Sequence, residues 1–173
     1  MQKNEWLRKL VFSGILIAVY IILAKFLSFS TPYAKVNLSF LPIALSAMLF
    51  GPWWSMATAA AADIIGTCFF EGGYFPLFTV DAVLYALFYA IFLYKKEKTV
   101  TRIVICVLLQ TVLVSIPLTP LWICIMNKSF VAYGAALATK SVASVISAVI
   151  KIVVLIPTCK YLYPRLQKIT GGK

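Results

Sequence analysis

Residues 40–79 read FLPIALSAMLFGPWWSMATAAAADIIGTCFFEGGYFPLFT. Two apolar runs are separated by a Gly51-Pro52-Trp53-Trp54 break, and the second opens into a loop of Gly, Pro and aromatic residues. Proline lacks a backbone N–H, and glycine takes conformations closed to other residues, so the pair ends one helix and starts the next. Asp63 sits inside the second run, where hydrocarbon is expected. A carboxylate at the centre of a membrane helix costs about 2.5 kcal/mol or more, so it usually marks function. It needs a hydrogen-bond donor or a cation. Lys140 and Lys151 are candidate partners within the chain; a ligand amine or amidine is the alternative.

The 173 residues are 62% hydrophobic and 12% charged, with mean hydropathy +0.96. A soluble domain of that size could not bury so much apolar surface. The reading is an all-α integral membrane protein, with residues 1–173 forming one domain of six transmembrane helices. There is no histidine, and Cys68, Cys106, Cys124 and Cys159 lie far apart in apolar runs. No metal site, cofactor or disulfide is expected from that spacing. The net charge of +11 could suggest nucleic acid, but the cations flank apolar runs, the pattern of membrane orientation.

The six spans are read at residues 10–27, 38–50, 55–70, 78–94, 103–116 and 135–157. The first is longer than the apolar core of a signal peptide, and five more follow. It carries Gly14 and Ala18, small residues on one helix face that admit a close helix neighbour, inside this chain or in a partner. Residues 28–37 read as an external loop. Trp53 and Trp54 suit an aromatic belt. The run Ala59 to Ala62 makes a thin helix that packs closely or borders a cavity. Pro117 and Pro120 bend the chain at LTPLW, and residues 123–134 read as external or re-entrant.

With the N-terminus inside, the inner segments hold Lys3, Arg8, Lys9, Lys95, Lys96, Lys98, Arg102, Lys160, Arg165, Lys168 and Lys173; the outer ones hold Lys35 and Lys128. That asymmetry puts both termini in the cytoplasm. Glu71, Tyr74, Asp81, Trp122 and Lys140 then fall toward the outside, with Phe75, Phe78 and Tyr85 nearby. Asp81 opens the fourth span, where the helix dipole favours an anion; contact with a ligand is the alternative. Aromatic faces with a few charges suit a flat, heteroatom-rich ring.

No phosphate-binding loop, HExxH or GxSxG motif is present, and without histidine the usual catalytic dyads fail. No catalytic residue is assigned. Asp63 and Asp81 lie on different spans, which argues against an intramembrane carboxylate enzyme. The six unequal spans do not pair as inverted repeats, so a binding subunit driven by others is favoured over a stand-alone transporter.

The chain resembles the substrate-binding S components of energy-coupling factor (ECF) vitamin transporters, of the folate type. The resemblance is carried by Phe40-Leu-Pro-Ile-Ala44, Leu49-Phe-Gly-Pro52, Asp63-Ile-Ile-Gly66, Gly73-Tyr-Phe-Pro76 with Phe78-Thr79, LTPLW at 118–122, and Lys151 followed by Pro157. It covers nearly the whole chain through the order and spacing of these motifs. It implies a high-affinity capture subunit in a bacterial plasma membrane. Its implied partners are a transmembrane scaffold subunit, two cytoplasmic ATPase subunits and the lipid bilayer. It also implies that helix 1 faces the scaffold through small residues, here Gly14 and Ala18, and that the pocket lies at the outer side. The folate-type LNTLW is LTPLW here, which puts Thr119 in place of an amide. An arginine expected three residues before Lys151 is Ala148, and Asp81 replaces a small polar residue. Folate is the expected ligand by overall similarity, with Lys35, Lys128 or Lys140 for its carboxylates. The changed charges keep a pterin or deazaguanine ring, such as a queuosine precursor, as the alternative. An assembly subunit without ligand is the further alternative.

Overall fold

The computed structural model describes residues 2–26, 28–30, 35–70, 75–96, 98–126 and 133–170. Helix α1 (Gln2–Phe26) leads into a small antiparallel pair, β1 (Ser28–Ser30) and β2 (Lys35–Asn37), registered Ser28 to Asn37 and Ser30 to Lys35. The polar stretch expected as a loop therefore pairs its own backbone groups. Then come α2 (Phe40–Phe50), α3 (Pro52–Phe70) and α4 (Pro76–Leu93). The fifth segment is α5 (Val100–Gln110), a π-helical turn (Thr111–Ser115) and α6 (Leu118–Met126). The sixth is α7 (Tyr133–Pro157), a second π-helical turn (Thr158–Leu162) and α8 (Tyr163–Thr170).

All six expected spans appear as helical segments. By length and composition four stretches can cross a membrane: Trp6–Phe26, Pro76–Leu93, Val100–Ile125 and Lys140–Gln167. The shorter α2 is buried on nearly all sides, from Phe40 through Met48, against α1, α3 and α4. A helix wrapped by others needs no full lipid-facing length. Gly51 takes φ +86°, and Pro52 opens α3, where its missing N–H costs nothing. Ala59 and Ala62 are fully buried, so the alanine run serves close packing, chiefly of α3 on α4.

The fifth segment corrects the sequence reading. LTPLW does not throw the chain outward, and residues 118–126 continue as helix. The π-helical turn, closed by Ile116 N–H to the Thr111 carbonyl at 2.9 Å, absorbs the break before Pro117. Pro120 falls in the first turn of α6, where backbone N–H groups have no partner within the helix. Likewise Pro157 does not end the last segment, because the second π-helical turn carries the chain into α8.

Contacts at one end of the bundle join Trp6 to Trp54, Gly51 to Tyr94 and Lys98 to Tyr163. There Leu166 packs with Leu16, Leu45 and Phe50. Helices α1 and α3 run side by side in parallel, as Tyr20 meets Gly66 further along. The β-pair and the α3–α4 connection consequently share the opposite end, called here the hairpin end.

Candidate functional site

Asp81, Tyr85 and Tyr89 recur every four residues on α4 and so form one stripe. Asp81 and Tyr85 bond to the fifth segment. Asp81 is 5% exposed, yet both its carboxylate oxygens are engaged. Trp122 Nε1 donates to Oδ1 at 2.9 Å, and Thr119 Oγ1 donates to Oδ2 at 3.2 Å. The Tyr85 hydroxyl shares a 2.6 Å hydrogen bond with Ser115 Oγ. One turn further, Gln110 Nε2 donates to the Tyr85 carbonyl at 3.1 Å. From α7, Lys151 Nζ lies 4.6 Å from the centroid of the Tyr85 ring. Such a cation over a ring face is attracted by the ring quadrupole.

The α3–α4 side adds a second carboxylate. Asp63 Oδ2 accepts a 2.8 Å hydrogen bond from Thr79 Oγ1 on α4. Asp63 is more open than Asp81. Phe75 and Phe78 stand with ring centroids 5.6 Å apart at the start of α4. The arrangement brings together aromatic rings, the more open carboxylate of Asp63, the buried one of Asp81 and one cation between α3, α4, α6 and α7. It can hold a planar ring and orient polar substituents around it.

Several sequence expectations change here. Asp81 lies past the first turn of α4 and is held by α6, so helix-dipole placement does not account for it. Lys151, considered for Asp63, lies on Tyr85. Lys140, the other candidate, is exposed on α7. Lys35 falls in β2, its side chain outside the described residues; Glu71, Tyr74 and Lys128 also lie outside them. Ala148, where an arginine was expected, is buried in the main core. Gly14 and Ala18 are both exposed on α1, away from the site.

Sequence reasoning did not single out Thr79, Ser115 or Gln110 for the site, and it offered Lys151 as one of two possible partners of Asp63, whereas Lys151 lies on Tyr85. The available signal was a polar side chain interrupting an apolar run. Among the described residues no cluster of His, Cys, Asp and Glu could hold a metal.

A family model described as the ECF transporter, substrate-specific component, matches residues 8–163. The chain belongs to that family. It is thus a multi-pass membrane protein and a transporter component, not an enzyme. Over 119 residues it is 34% identical to the folate transporter FolT of Clostridium novyi (strain NT), covering 68% of this chain and 69% of that protein. A FolT of Leuconostoc mesenteroides is 33% identical over 121 residues, 69% of this chain and 65% of that one. A crystal structure of FolT bound with folic acid superposes with TM-score 0.81 at 35% identity, covering 90% of this chain and 96% of that chain. The S component of another bacterial ECF transporter shares the fold, with TM-score 0.62 at 17% identity over 94% of this chain and 99% of that chain.

Proposed function

We propose that this S component captures folate, or a close folate derivative, on the outer side of the membrane for an ATP-driven importer. The observation that carries the reading is the match over nearly the whole chain to a folate-bound FolT. The site chemistry supports it. Trp122, Tyr85, Phe75 and Phe78 supply faces for a pterin ring, and Asp63 accepts its N–H donors. Lys151 takes a tail carboxylate in place of the missing arginine. Lys35, Glu71, Tyr74 and Lys140 belong to the mouth of the pocket in this reading.

Charge sets the orientation. Among the described residues Arg8, Lys9, Lys95, Lys96, Lys98, Arg102, Lys160 and Arg165 gather at the Gly51 end, while the hairpin end holds Lys25, Lys35 and Lys140. The positive-inside rule then puts both termini in the cytoplasm and opens the site outward. Gly14 and Ala18 on the exposed face of α1 meet the scaffold subunit, and two ATPases power release.

The test is isothermal titration of the detergent-purified chain with folic acid, 5-formyl-tetrahydrofolate, pterin, guanine and queuine. Tight binding of the two folates supports the proposal. Binding of the purine or deazaguanine rings alone moves the assignment to nucleobase-precursor uptake. No binding at all favours an assembly subunit.

A further inference from the structure

We infer that Asp81 is a positioning residue: it fixes the Trp122 indole as the stacking wall of the site and does not itself take the ligand's N–H donors. The inference rests on the reading that the hairpin end binds a flat ring.

Three observations carry it. First, both carboxylate oxygens are already engaged. Each oxygen already accepts a bond from α6, one from Trp122 Nε1 and one from Thr119 Oγ1. Asp81 is also 5% exposed, whereas Asp63 lies more open. Second, an indole has a single donor, its Nε1–H. Anchoring that one group fixes the ring plane, and a charged acceptor does so more strongly than a neutral one.

Third, α6 needs such an anchor. The helical ladder is interrupted by the π-helical turn at Thr111–Ser115. Pro117 and Pro120 then contribute no N–H. Backbone bonding across residues 111–117 is therefore irregular, and Pro117 adds no ladder bond. Side-chain bonds to α4 fasten this stretch and α6 after it: Tyr85 to Ser115, and Asp81 to Thr119 and Trp122. Removing Asp81 frees the indole to rotate, even with every ligand-facing group still present.

A double-mutant cycle separates positioning from direct contact. Folic acid is titrated into the wild-type chain, Asp81→Leu, Asp81→Asn, Trp122→Phe and the two doubles. Positioning predicts that Asp81→Leu loses affinity about tenfold, and Asp81→Asn, which keeps an acceptor, about threefold. In the Trp122→Phe background, which has no indole N–H, either change costs less than about twofold. An equal loss in both backgrounds overturns the inference in favour of direct ring contact.

A second arm needs no ligand. Trp6, Trp53 and Trp54 are replaced by Phe, leaving Trp122 as the sole tryptophan, and acrylamide quenching of its selectively excited emission is measured. Asp81→Leu is expected to raise quenching clearly and Asp81→Asn slightly. Unchanged quenching in both overturns the positioning role. Where Asp81→Leu does not reach the membrane, Asp81→Asn carries both comparisons at smaller amplitude. If wild type fails to bind folic acid, the folate reading falls and the quenching arm still decides the role of Asp81.

Discussion

Lys151 Nζ on α7 lies 4.6 Å above the ring of Tyr85 on α4, whose hydroxyl is tied to Ser115. A cation inside a helix bundle is costly, and a ring face offsets only part of that cost. In the proposed function this charge meets the ligand's tail carboxylate. A buried charge carries a desolvation cost that an apolar side chain of similar size does not. Lys151→Met should therefore keep or raise the Tm in detergent. Its affinity for folic acid should drop about tenfold or more, while that for pterin, which has no carboxylate tail, stays nearly constant. Equal losses for both ligands by calorimetry would remove Lys151 from the carboxylate role.

Gly51 combines a positive φ with a neighbour. At φ +86°, a Cβ there would stand 3.0 Å from Tyr94 Cζ. Gly51→Ala adds backbone strain and overlap, expected to cost about 1–3 kcal/mol and to lower the Tm. Adding Tyr94→Ala relieves the overlap but not the strain. The Tm cost of Gly51→Ala should therefore shrink in the Tyr94→Ala background without vanishing.

The Asp63–Thr79 bond, 2.8 Å long, joins α3 to α4 close to their connection. Thr79→Val preserves shape and removes the donor, whereas Thr79→Ser preserves the donor. Asp63 has further interactions, so the expected loss for Thr79→Val is about 1 kcal/mol, near the low end for a charged acceptor. Thermal unfolding should rank wild type, Ser and Val in that order. A Val variant as stable as wild type would show that Thr79 contributes nothing to the pairing.

How far the sequence reveals this fold depends on the kind of signal. The Gly51-Pro52 break is local chemistry, and it falls between α2 and α3 as read. The alanine run and both intramembrane carboxylates stand out for the same reason. The helical course through Pro117 and Pro120 does not, because a π-helical turn shifts the ladder in a way no single residue announces. Thr119 and Trp122 could be named as candidates. Their bonds to Asp81 join residues 38 and 41 positions apart and arise only when α4 and α6 dock. Lys151 was visible as a charge in an apolar run, but its seat on Tyr85 depends on how α7 packs.

Orientation is open to a direct test. In the proposed orientation the cations gathered at the Gly51 end face the cytoplasm. A reporter that fluoresces only in the cytoplasm, fused after Leu166, should light up. An alkaline phosphatase fused there, active only outside, should stay silent. The reverse pattern would turn the site toward the cytoplasm and remove its capture role.

The exposed face of α1 separates folding from assembly. A Cβ built at Gly14 meets nothing within 4 Å, and Ala18, one turn on, is also exposed. Leucine at both positions should thus leave the unfolding free energy of the isolated chain within about 0.5 kcal/mol of wild type, as for other surface changes. Folic acid affinity should also hold, because neither residue is near the site. Close helix approach in a membrane, however, depends on small side chains, since lipid supplies no hydrophobic drive between helices. The doubly substituted chain should fail to co-purify with the scaffold subunit and should not support uptake in cells. Intact co-purification would mean that the scaffold meets another face.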